Sequence, residues 1–286
     1  MESEKSTPNT RKQFIGPIAP SHILIINSLC YFLLAYYTVI ILTNTFSILL
    51  ARLNGFEGTL YYFGFQLSSD ESTWTKDLFF LIFFIGIGFS FLLGLLFERL
   101  YRKSRKHVWP GKMFFLWGYI FSLSYFFGNI IVGSFFYFGP GVVFDNFSIP
   151  RIVRIIIGIT AFFTLVIIGH FSARNILVSL NAYYRIVRQQ DFRQLIKSHI
   201  LFPLIIGNII IFLLKIPQQG TFNYLDSMVV LCIFIPVISS WYSLPRHQSI
   251  RFKRRTNHLD LNPRLIVATI LLLILIRAGL AFGINL

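Results

Sequence analysis

The chain has 286 residues, of which 55% are hydrophobic and only 13% charged, with a mean hydropathy of +0.67 and a formal net charge of +15. A soluble domain carries about 25% charged residues, so the composition excludes an ordinary water-soluble fold and predicts an all-α integral membrane protein. The basic excess would suggest nucleic acid in a soluble chain, but here it lies between apolar blocks, where membrane topology and anionic lipid account for it and no nucleic-acid partner is expected.

A polar head, residues 1–22, precedes a single multi-pass membrane domain, residues 23–286. Because a spanning helix needs ~20 apolar residues, about seven transmembrane helices are expected, over 23–50, 78–97, 113–138, 152–171, 199–214, 224–243 and 265–284. The first block exceeds the ~7–15 apolar residues of a signal-peptide core and lacks a small-residue cleavage site, so it reads as a retained signal anchor. Cys30 and Cys232 fall inside spans at different depths and read as small apolar filler, without a disulfide.

After the first span, residues 51–77 combine an Asn54-Gly55 turn signal with the aromatic run Tyr61 to Phe65. An interfacial hairpin or a partner-binding flap is expected there. In the second span Gly86, Ser90 and Gly94 recur every four residues, a ridge on which another helix can approach closely. Gly279 and Gly283 repeat that spacing in the last span. Gly88-Phe-Ser90-Phe also resembles half of the rhomboid serine-protease signature, but Arg277-Ala-Gly279 stands where that family has a histidine.

Residues 114–147 carry Trp117-Gly118, Phe126-Phe127-Gly128, Gly133 and Gly139-x-Gly141. This segment resembles a stretch of poorly characterised bacterial multi-pass inner-membrane proteins, and the resemblance implies a bacterial cytoplasmic membrane. Gly128 and Gly133 allow close backbone approach. Gly139-Pro140-Gly141 marks a turn at the outer surface, which with Val142 to Pro150 would form a lid beside the 51–77 loop. That outer vestibule is the expected place for a ligand.

Further along, Leu177, Leu180, Tyr184 and Val187 recur at helical spacing with interleaved arginines. Segment 173–197 is therefore predicted to hold an amphipathic helix on the inner headgroups, with a new helix starting at an Asp191 capping box. Twenty of the 26 Lys and Arg lie in the head and the 98–112, 172–198 and 244–264 loops, while the alternate loops hold five. By the positive-inside rule the amino terminus is cytoplasmic and the carboxyl terminus outside. Arg102, Lys103, Arg105, Lys106, Arg185, Arg188, Lys253, Arg254 and Arg255 are the expected contacts to anionic lipid.

Catalytic signatures are missing. No His-Glu-x-x-His frames His22, His107, His170, His199, His247 or His258, and there is no phosphate loop, dinucleotide glycine pattern or CxxC pair. No catalytic residue, metal or cofactor is assigned. His170 reads as an interfacial histidine, with a proton relay as the alternative. Charges and amides inside a membrane are costly and tend to be functional or paired, which singles out Asn129, Asn208, Asp226 and Arg277 as a candidate substrate or ion pathway. Arg277 is expected to meet Asp226 or to snorkel to the outer headgroups. Pro203, Gly207, Asn208 and Pro236 could interrupt the fifth and sixth spans as transporter helices are interrupted. The favoured role is a non-enzymatic membrane subunit, assembly factor or interaction protein, with a membrane-protein partner or a second copy. A transporter or lipid-handling protein with a polar site in the outer half is the alternative, and a membrane-embedded enzyme comes third.

Overall fold

A computed structural model describes residues 21–67, 74–184, 186–187, 192–216, 222–243, 250–251 and 260–285. Its first elements are α1 (Ser21–Leu53) and a hairpin of β1 (Gly58–Tyr61) and β2 (Gly64–Leu67). Then come α2 (Lys76–Ser104), α3 (Lys112–Phe135), the short α4 (Pro140–Asn146), α5 (Arg151–Ala182) and β3 (Ile186–Val187). The remainder comprises α6 (Phe192–Lys215), α7 (Phe222–Leu231), α8 (Phe234–Ser243), β4 (Ile250–Arg251), α9 (Pro263–Gly279) and β5 (Ile284–Asn285). Six helices are long and apolar enough to cross a membrane, α7 and α8 together forming the sixth. Helices suit that role because their backbone hydrogen bonds are satisfied within the segment.

Bonds between distant residues sort the connections into two ends. At one, Asn181 Nδ2 donates to the Arg105 carbonyl, Asn27 Nδ2 donates to the Asp260 carbonyl, and β3 pairs antiparallel with β4. This end gathers the start of α1 and the three basic connections; we call it the basic end. At the other, β5 pairs antiparallel with β1, giving a three-stranded sheet in the order β2-β1-β5. This is the hairpin end. The chain therefore starts α1 at the basic end and finishes β5 at the opposite one.

The central helix is α3, 72% of whose most apolar stretch is buried, against 22% for α5, which lies on the outside of the bundle. Small residues set the approach distances. An added Cβ at Gly86 would strike the Ser47 side chain of α1, and one at Gly94 would lie 2.6 Å from Leu123 of α3. Ser90, between them, is fully buried and donates to the Ile87 carbonyl. An added Cβ at Gly128 would lie 2.9 Å from the Val229 carbonyl oxygen, and one at Gly169 would strike the backbone of Pro236.

Several expectations need correction. The last helix stops at Gly279, 17 residues after it begins, because Leu280 to Gly283 turn the chain into β5. Gly279 consequently packs against nothing within 4 Å, and Gly283, at φ +76°, lies in the turn beside Thr59 and Tyr61. These two glycines form no helix-packing face. Among the described residues of segment 173–197 there is no separate surface helix: α5 continues into it and buries Ile176, Leu177, Leu180, Tyr183 and Tyr184 in the core. Burial alone pushes the Tyr184 phenol above its ordinary range. The Asp191 cap lies outside the described residues, although α6 begins at Phe192.

The two prolines act differently from the expected pair of interruptions. Pro203 sits at the start of the regular α-helical part of α6, just after a π turn over Lys197–Leu201. Proline has no N–H for the carbonyl four residues back. The freed His199 carbonyl instead accepts from Ser28 Oγ, which in turn accepts from Trp117 Nε1 at 3.1 Å. α6 thus passes through uninterrupted. Pro236 does break its helix: Cys232 and Ile233 bond three residues back, to Val229 and Val230, and the chain restarts at Phe234.

Candidate functional site

At the hairpin end the helices part around a cavity of about 450 Å³. Its polar side begins on α1, where Thr43, Asn44 and Ser47 are buried and share one face of the helix, as residues one and four apart do. Tyr125 and Asn129 of α3 and Asp226 of α7 complete that side. The roof is the hairpin from Phe63 to Leu67, and the flank is Trp74 with Phe79, Ile82 and Phe83 of α2. Ile82 and Phe83 belong to a π turn, Leu81–Ile85, a deviation that often accompanies functional sites.

Geometry around the opposite wall depends on Gly139. It adopts φ +51° and ψ −120°, which an L side chain resists. An added Cβ there would also press to 3.2 Å from Asn129 Oδ1. The turn that opens α4 is thus built on a glycine in contact with the polar wall. Arg154 and Asp145 form an ion pair that ties the start of α5 to α4.

Asn129 donates from Nδ2 to the Tyr125 carbonyl at 2.8 Å, leaving its Oδ1 turned toward Gly139. Asp226 is paired with Lys215, the last residue of α6, whose side chain is only 6% exposed. A cation at a helix C-terminus and an anion near a helix N-terminus each complement the helix dipole. The pair joins the end of α6 to α7 and neutralises the one charge among the described residues that line the cavity.

Thr43 differs from four other helical threonines. Thr38, Thr160, Thr164 and Thr269 each donate to the carbonyl four residues earlier, at 2.7 to 2.8 Å. Thr43 Oγ1 makes no hydrogen bond, although the residue is 1% exposed. A buried hydroxyl without a partner costs about 1–3 kcal/mol, and this one belongs to a residue that lines the cavity.

Of the four residues singled out as a pathway, Asn129 and Asp226 line this cavity and the other two do not. Asn208 donates to the Leu204 carbonyl within its own helix. Arg277 does not reach Asp226, whose partner is Lys215. Its guanidinium donates to the Ile216 carbonyl at 3.0 Å and lies 3.9 Å over the Tyr62 ring. It therefore braces the hairpin roof. Of the proposed lipid contacts, Arg102 is paired with Glu98 on its own helix, Lys103 and Lys106 are exposed, and Arg105 is half-buried. Arg185, Arg188, Lys253, Arg254 and Arg255 lie outside the described residues.

Sequence reasoning missed Thr43, Asn44, Ser47, Gln66 and Trp74. A signal existed for the first three: polar residues at spacings of one and four in an otherwise apolar span. Two serine–histidine contacts also occur, Ser179 with His199 at 2.8 Å and Ser243 with His170 at 2.7 Å. Ser179 donates to the Ile176 carbonyl, so its oxygen accepts from His199 Nε2. Both residues are fully buried and away from the cavity, which gives a substrate no route to that hydroxyl. Ser90 is committed to a backbone carbonyl and meets no histidine.

The chain matches no family model, and neither curated proteins nor solved structures gave a match.

Proposed function

We propose that this chain binds a small amphipathic molecule in the outer half of its helix bundle, as a transporter or lipid-handling protein of a bacterial cytoplasmic membrane. The reading takes seven spans, α9 being the seventh, with the amino terminus cytoplasmic and the hairpin end outside. At 1.5 Å per residue the 17 residues of α9 extend about 25 Å, close to the ~30 Å of a hydrocarbon core. Retention of basic residues on the cytoplasmic side supports the orientation.

One observation carries the functional part: the hairpin-end cavity is lined by Thr43, whose buried hydroxyl has no partner among the described residues. Pockets with mostly apolar walls and a few convergent polar groups are the usual form of small-molecule sites. Native mass spectrometry on protein extracted in mild detergent tests the reading. The expected result is a retained molecule of a few hundred daltons or a bound lipid. A mass equal to the bare chain, with no ligand taken up from added lipid extract, would count against it.

A subunit role is the second reading, favoured by α5. Ile152, Ile156, Phe163, Ile167 and Phe171 are exposed along this poorly buried helix, a surface that lipid or a partner helix would cover. Co-purification of a fixed partner, lost on Phe163→Ser with Ile167→Ser, is the expected sign. For the topology, a cysteine appended after Leu286 should react with an impermeant reagent from outside; labelling from the cytoplasm only would overturn it.

A further inference from the structure

We infer that the hairpin-end cavity is built for an uncharged, hydroxyl-rich group, a glycosyl or polyol unit either free or as the headgroup of a lipid. The inference rests on the binding role proposed above and adds the chemical class of the ligand.

Charge decides first. Asp226 is the sole charged residue among the described residues that line the cavity, and Lys215 already neutralises it. A phosphate would need arginine or lysine facing it. An ammonium would draw on an unpaired carboxylate, and the ion pair leaves none among the described lining residues.

The hydrogen-bonding stock is mixed. Thr43 and Ser47 contribute hydroxyls, which both donate and accept, and Asn44, Gln66 and Asn129 contribute carboxamides, which carry donors on one atom and acceptors on another. Such a wall matches groups that themselves donate and accept, which is the property of sugar and polyol hydroxyls. Thr43 gives the sharpest indication. It forgoes the carbonyl that four other threonines use and stays unpartnered when buried.

Aromatic rings supply the complementary part. Trp74 stacks with Phe83 and tilts against Phe79, and all three line the cavity. A sugar ring has apolar C–H faces that lie against the electron-rich face of an aromatic ring, while its hydroxyls project sideways to the amides.

The test is a titration of the full chain, purified in a detergent without a sugar headgroup, with four probes. These are glucosyl diacylglycerol, free methyl glucoside, phosphatidylglycerol and phosphatidylcholine, read by native mass spectrometry and calorimetry. The glucolipid or the free glucoside should bind at least tenfold more tightly than either phospholipid. Comparable affinity of the two glucosides identifies a soluble sugar as the source, and a preference for the glucolipid identifies a headgroup. Thr43→Val and Asn44→Leu should each weaken binding about tenfold, with Thr43→Ser retaining it. Ser122→Ala, which removes a buried unpartnered hydroxyl away from the cavity, should leave binding unchanged. Phospholipid binding that is equal or tighter, and that depends on Thr43, would overturn the headgroup class while leaving a binding cavity in place. Binding of no probe, or binding indifferent to Thr43 and Asn44, would overturn both.

Discussion

The basic end and the hairpin end use the same kinds of residue to opposite effect. At the basic end Trp117, Ser28 and the His199 carbonyl form one hydrogen-bonded chain that fills the place left by Pro203. Lys112 is fully buried there and donates to the His107 carbonyl. At the hairpin end Thr43, Asn44 and Asn129 are just as buried, yet they surround space. The lesson is that burial of a polar side chain in a membrane bundle does not identify a site. What separates a site from the rest is an unbonded polar residue that also borders open space, because Asn181, Tyr184 and His199 leave buried polar atoms unbonded at the basic end too and an unmade bond in low dielectric is the costly case.

The largest expected effect tests the dense half. Trp117→Ala should lower unfolding stability by about 3–5 kcal/mol, followed by thermal unfolding in detergent. Phe65→Ala in the cavity roof should cost much less; equal losses would erase the contrast between the ends. Next comes the ion pair. Lys215→Met leaves Asp226 without its cation, and since the Asp226 side chain is 20% exposed the loss should fall below the ~3–5 kcal/mol of a fully buried pair. Adding Asp226→Leu should recover most of it, and a double-mutant cycle without coupling would remove the pair from the picture.

A smaller effect is expected at the roof. Arg277→Leu removes the contact over Tyr62, worth about 0.5–2 kcal/mol, and should speed proteolysis within residues 58–67 more than it lowers global stability. Asp226→Asn should leave that cleavage rate unchanged; a matching acceleration would revive an Arg277–Asp226 link. A last comparison separates the two polar sets, and its cavity member carries the smallest effect. Ser28→Ala should destabilise by about 1–3 kcal/mol, because Trp117 loses its acceptor and the His199 carbonyl its donor. Thr43→Val, which removes a hydroxyl bonded to nothing, should leave the empty protein as stable or slightly more so.

Much of the helical layout was legible, for a direct reason. Crossing hydrocarbon requires long apolar helices, and six of the expected blocks appear as helices long and apolar enough to span. The hairpin was also readable from the aromatic run, which spans its turn at Tyr62-Phe63, whereas the Asn54-Gly55 signal marks the end of α1, with Gly55 at φ 84°. Ends of elements were harder. Segment 173–197 has a helical period whose apolar face meets the core, and a period cannot distinguish a protein interior from a membrane surface.

The sequence by itself determined the class of molecule, the approximate places of its helices and the short set of costly polar residues, because hydropathy and charge act locally along the chain. Only the tertiary structure decided the pairings. Lys215 takes Asp226, and Arg277 takes Tyr62 and the Ile216 carbonyl. Those choices depend on which helix ends lie side by side and on the strand that turns the chain back at Gly283. They also decide which polar atoms remain unbonded around the cavity, and that remainder is what indicates a ligand.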